Sequence, residues 1–142
     1  MKIILVILAS VLSFGLQASP ESKPFAEKRI VLQISDSDPF KQTLVLNVAN
    51  NLVKHYGQDA VDIEIVAFGP GLRLLFKENA NVGRIDGLTN SGVQFSACQN
   101  TVRGMAKKLG HEPELNPSAT HVSAGVVRII DLVGQGYQLI KP

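Results

Sequence analysis

The sequence predicts an α/β fold on a mainly parallel sheet, and three observations carry that expectation. From Lys28 onward, short apolar strand-like runs alternate with longer amphipathic runs. Capping residues open the amphipathic runs and glycines close them. The repeated strand–helix–strand order then implies parallel neighbours, because parallel strands can be joined only by crossover connections.

The elements follow in order. RIVLQIS (29–35) reads as the first strand. Asp38 is placed to cap a helix, and Pro39 suits its first turn, where a missing N–H costs nothing. That helix carries Leu44, Val48 and Leu52 on one stripe with Val45, Ala49 and Val53 beside it, and Gly57 stops it. VDIEIVAF (61–68) is the second strand; Gly69, Pro70 and Gly71 then lead into a short apolar helix from Leu72 to Phe76. A further helix is expected over 80–90, interrupted by Gly83 and Gly87. VQFSA (93–97) is the third strand. Residues 99–109 form a helix with Val102, Met105, Ala106 and Leu109 at helical spacing, ended by Gly110. HVSAG (121–125) is a short fourth strand, 126–133 a helix, and YQLIK (137–141) the fifth strand.

Right-handed crossovers bring every strand-to-helix loop to one edge of such a sheet. Four loops meet there: Ser35 to Asp38, Gly69 to Gly71, Cys98 to Asn100, and Ser123 to Gly125. Open α/β sheets bind ligands beyond the carboxyl ends of their strands, so this is the edge to search.

Composition narrows the function. The 142 residues have a formal net charge of +2, of which Lys2 supplies one, so neither nucleic acid nor an anionic membrane is expected as a partner. Lys2 precedes the apolar run IILVILASVLSFGL, and small residues follow at Ala18 and Ser19, the pattern of a secretory signal peptide. The reading is a leader over 1–18, a flexible lead-in over 19–27 and one domain over 28–142, in a periplasmic or secreted protein without a stable membrane anchor after cleavage. Cys98 is the single cysteine, so the fold relies on core burial rather than on disulfides.

Cys98 is also the leading candidate for chemistry. At the cap of the helix beginning at Gln99, its sulfur is within reach of the Asn100 and Thr101 amides, and free amides with the helix dipole favour a thiolate. Arg103, one turn on, could add positive charge. A thiolate there could carry sulfur as a persulfide. Two other readings stay open at this point: a buried thiol acting as a small hydrophobe, and a link between subunits. FGPGLRLLF (68–76) has two glycines before a helix, but Pro70 removes an amide and no Lys-Ser/Thr pair follows, so the segment reads as a tight turn rather than a nucleotide loop. Arg73 remains a candidate for holding an anion or an acidic partner. Asp36 and Asp38 lack a third oxygen ligand, and capping accounts for Asp38. His55, His111 and His121 make no zinc spacing with Cys98, and His121, read as opening the fourth strand, is expected at the opposite edge. No metal and no cofactor is expected.

The segments KRIVLQISDSDPFKQTLVLNVANNL, VDIEIVAFGPGLRLL, GVQFSACQNTVRGM and AGVVRIIDLVGQGYQLIKP together resemble the DsrE-like family of the DsrE/DsrF sulfur-relay superfamily, over about Lys28 to Pro142. The resemblance implies a three-layer α/β/α sandwich on a five-stranded sheet and assembly as trimers or hexamers. It also implies a cysteine between strand and helix that accepts a persulfide, a place that Cys98 fills. The expectation is thus an exported sulfur carrier or sulfurtransferase that exchanges sulfur with a donor or acceptor protein. Cys98 would act on the sulfur, the Asn100 and Thr101 amides would stabilise its anion, and Gly69, Gly71 and Arg73 would form the mouth. Set against this is a non-catalytic oligomeric binding module with a structural cysteine.

Overall fold

The computed structural model describes residues 23–142, so the leader expected over 1–18 lies outside the described residues. Five parallel strands form one sheet in the order β4-β3-β2-β1-β5: β1 Lys28–Ile34, β2 Val61–Ala67, β3 Gln94–Cys98, β4 Ala119–Val122 and β5 Gln138–Ile140. The helices are α1 Pro39–Tyr56, α2 Val82–Asn90, α3 Gln99–Leu109 and α4 Gly125–Gly134. Helices cover both faces, so the three-layer α/β/α sandwich is the architecture of the protein.

Local signals account for most boundaries. Asp38 caps α1 by accepting from the Phe40 amide at 2.8 Å, with Pro39 in the first turn and Gly57 at the end in a left-handed φ of 88°. Gly110, at φ 81°, closes α3 in the same region of φ. The segment expected as a short helix from Leu72 is a 3₁₀ helix that starts earlier, at Gly69, and runs to Leu75. Gly71 explains the early start: a Cβ there would lie 2.3 Å from the Ile34 carbonyl oxygen, so only glycine lets the turn close onto β1.

Alternation along the strands sorts residues between two unlike faces. Ile30, Leu32 and Ile34 of β1, Ile63 and Ile65 of β2, and Phe95 of β3 meet Val45, Leu46 and Ala49 of α1, Ile85 and Leu88 of α2, and Val102 of α3. This is the main core. The buried stripe of α1 centres on Val45, Leu46 and Ala49, whereas Leu44, expected on it, is 44% exposed. Among the described residues the opposite face is covered by α4 alone: its Ile129 and Leu132, with Tyr137 just before β5, pack on Val31 and Val66.

That second face buries polar groups beneath its thin cover. Glu64 accepts a bidentate pair of bonds from Arg128 of α4, at 2.8 and 2.7 Å, and a third from the Ser96 hydroxyl at 2.5 Å. Asp62 accepts from the Tyr137 hydroxyl at 2.6 Å and from the Lys23 amide at 3.0 Å. Burial and then this bond push the Tyr137 phenol far above its ordinary range. A buried carboxylate is tolerable only when its lone pairs are engaged, and Glu64 meets that condition with three donors.

Candidate functional site

Order along the sheet decides where a crevice opens. Strands β1 to β3 each lead to helical segments on the main-core face, whereas β4 leads to α4 on the other face. Neighbours β3 and β4 therefore send their helices in opposite directions, and the loops diverge beyond their carboxyl ends. Such a divergence is where open α/β sheets form ligand sites. Cys98 stands in it, as the last residue of β3 and the N-cap of α3, paired in register with Val122 of β4.

Cys98 is almost enclosed, at 5% exposure. Burial pushes the thiol pKa up, but the Thr101 hydroxyl and the amides of Gly125, Thr101 and Asn100 outweigh it, and the net displacement is downward. The thiol closes no conventional side-chain cap bond to α3. The groups that favour its anion belong to the starts of two helices, α3 and α4. Thr101 links the loops: its Oγ1 accepts the Gly69 amide at 2.8 Å, which leaves its hydroxyl proton free to turn toward the sulfur.

The expected residues separate into two groups. Cys98, Asn100, Thr101 and Gly69 lie together at this edge. Gly69 also takes a positive φ of 53°, which lets the chain turn back toward α3. Arg73 is exposed on the 3₁₀ helix and lines a neighbouring groove, while Gly71 is buried against β1 and lies outside that groove. Arg103 does not turn to the sulfur; its guanidinium donates to the Asn100 side chain.

Two contributors were missed in sequence. The Gly125 amide helps to lower the thiol pKa, and a Cβ there would press on the Phe68 side chain, 3.0 Å from its Cβ. His121 was expected at the opposite edge, but β4 begins at Ala119, so the imidazole belongs to the carboxyl edge. It pairs there with the Gln99 side chain, one residue past the cysteine. The strand starts two residues before the His121 expected from sequence. The signal for an earlier start was weak, because Ala119 and Thr120 are only half-buried.

Beneath the site, Glu64 fixes both walls. It binds Ser96, two residues before Cys98 on β3, and Arg128, three residues after Gly125 on α4. One buried carboxylate thereby sets the spacing between the strand that carries the thiol and the helix that offers it an amide. Asp36 is committed elsewhere: Lys41 donates to it at 2.5 Å and the Asp38 amide at 2.9 Å, which holds its carboxyl below the usual range. Among the described residues no group of three His, Cys, Asp or Glu side chains is arranged to hold a metal ion, and no helix is long and apolar enough to cross a membrane.

Fold and site together define an open-sheet α/β protein with a nearly buried thiol at a divergence of strand connections. No family model and no curated protein matches the chain. Among solved structures it is similar to the protein of unknown function MTH1491 from Methanobacterium thermoautotrophicum, at 30% identity and a TM-score of 0.73 over 81% of this chain and 99% of that one. The chain belongs to the family of that protein.

Proposed function

We propose that the protein is a sulfur carrier or sulfurtransferase of DsrE-like type, in which Cys98 accepts a sulfane sulfur as a persulfide. The observation that carries this reading is the set of donors around the sulfur. Four groups from two helix starts favour its anion despite burial, an arrangement that a merely space-filling cysteine does not need. A persulfide, itself anionic, would keep the same donors engaged. Incubation with a sulfane donor should add the mass of one sulfur to the wild type and none to Cys98→Ser. A wild type that gains no sulfur, and whose thiol resists iodoacetamide in the folded state, would refute the reading.

A second reading has its own observation. Cys98 is nearly closed to solvent, which fits a structural thiol in a non-catalytic binding module. The pH dependence of alkylation separates the two: a thiol titrating below ~7.5 supports the carrier, and one above ~9 supports the module.

Assembly belongs to the proposal too. Val126, Val127, Ile130 and Val133 form an exposed apolar stripe on α4, and Leu139 and Ile140 of edge strand β5 are also uncovered. A homo-oligomer, trimer or hexamer, would bury such a surface. Light scattering on the purified protein tests it, with a monomeric mass at micromolar concentration as the contrary result. The leader pattern adds export to the periplasm or beyond, which fractionation and the N-terminus of the recovered protein would check.

A further inference from the structure

At Thr101, three residues on from Cys98, a groove of about 450 Å³ runs between the 3₁₀ helix and α3. Gly69, Pro70 and Arg73 form one wall, and Thr101, Met105 and Lys108 form the other. Thr101 belongs both to this groove and to the donors around the sulfur. Residues 98, 101, 105 and 108 also fall at helical spacing, so the groove follows the side of α3 that the cysteine heads. The smaller cavity of about 240 Å³ near Phe76 and Leu109 lies at the far end of α3, away from Cys98.

The charge of the groove is one-sided. Arg73 and Lys108 make no ion pair or side-chain hydrogen bond among the described residues, and no acidic side chain lines the wall. The acids nearest in sequence to Ser37 at its rim are engaged, Asp36 with Lys41 and Asp38 with the first turn of α1. Pro70 and Met105 add apolar surface between the cations. The volume matches sites for small organic molecules and exceeds what a bare inorganic anion would fill. Gly104 also lines it, and a Cβ there would stand in open space.

We propose that this groove binds the anionic body of a low-molecular-weight thiol persulfide, which delivers its outer sulfur to Cys98. The inference rests on the carrier reading above and names its donor class. Carboxylates of the donor sit against Arg73 and Lys108, and its organic stem lies over Pro70 and Met105. The Cys98 thiolate attacks the outer sulfur of R–S–SH. A bond forms between Sγ and that sulfur, the donor's sulfur–sulfur bond breaks, and its electron pair leaves on R–S⁻, so Cys98 becomes the persulfide without an added oxidant or reductant.

The test separates binding from transfer. S-methylglutathione, which carries two carboxylates and cannot transfer sulfur, is titrated into the full protein and followed by amide NMR, with its diethyl ester, which keeps the ammonium but has no carboxylate, as the control. The acid should shift Gly69, Thr101, Gly104 and Met105 and bind several-fold tighter than the ester. Arg73→Ala and Lys108→Ala should each weaken it about threefold, and added salt should do the same. Gly104→Leu should abolish binding while the helix keeps its fold, since leucine is the better helix former. Equal binding of acid and ester, or shifts away from these residues, overturns the proposal. Glutathione persulfide and its diester then report transfer. Sulfur gain on Cys98 from both at equal rates preserves the carrier reading and refutes the groove. Binding of the S-methyl probe without sulfur gain from the persulfide refutes the carrier reading, and donor delivery with it.

Discussion

The two faces of the sheet are made by the same strands and do different work. The face under α1, α2 and α3 is a continuous apolar core in which Leu32, Ile65 and Phe95 are almost wholly excluded from solvent. The face under α4 buries Asp62, Glu64 and Ser96 and ends at Cys98. Apolar packing on the first face is non-directional and tolerates adjustment. Hydrogen bonds on the second are directional, so they fix where α4 begins relative to β3. Stability is concentrated on one face and positional accuracy on the other.

Substitutions can break that contrast, beginning with the main core. Phe95→Ala should cost about 3–5 kcal/mol in urea unfolding, the range for deleting a buried aromatic ring. Where the variant remains folded, the pH midpoint of Cys98 alkylation should stay in place. A large shift of that midpoint would mean that the two faces are not separable.

Glu64→Gln should act on both. It leaves Arg128 against a neutral amide and should cost roughly 3 kcal/mol, as for a buried pair with one partner removed. It should also loosen α4, withdraw the Gly125 amide and raise the thiol pKa, seen as slower alkylation near neutral pH. An unmoved alkylation profile would show that Glu64 stabilises the fold without positioning the site.

Thr101→Val is a narrower probe. It removes the hydroxyl from the sulfur and the acceptor from the Gly69 amide, at about 1 kcal/mol for a lost hydrogen bond. The thiol pKa should rise, because a donor that favours the anion is gone.

A smaller effect follows from linkage. The folded thiol titrates below its unfolded counterpart, so between the two pKa values the unfolded chain holds more protons and stability rises with pH. The gain is complete above the unfolded thiol pKa and is lost as pH falls through the folded one. Cys98→Ser should remove this slope from unfolding free energies measured across that window. At the bottom of the scale, Lys77→Ala breaks an exposed pair with Glu114 and should leave the unfolding midpoint unchanged.

The sequence by itself determined the elements and the address of the site. Asp38 before Pro39, the glycine stops and the strand alternation are local signals, readable because capping and period depend on near neighbours. They placed α3 at 99–109 and Cys98 at its cap. Tertiary structure alone decided that α4 crosses to the other face, that Gly125 turns an amide toward the sulfur, and that Glu64 joins Ser96 to Arg128 across 32 and 64 residues. It also moved His121 to the edge of Cys98 and left Leu44 in solvent. Those outcomes depend on which strand lies beside which, and strand order is a property of the whole chain's packing that no local window contains.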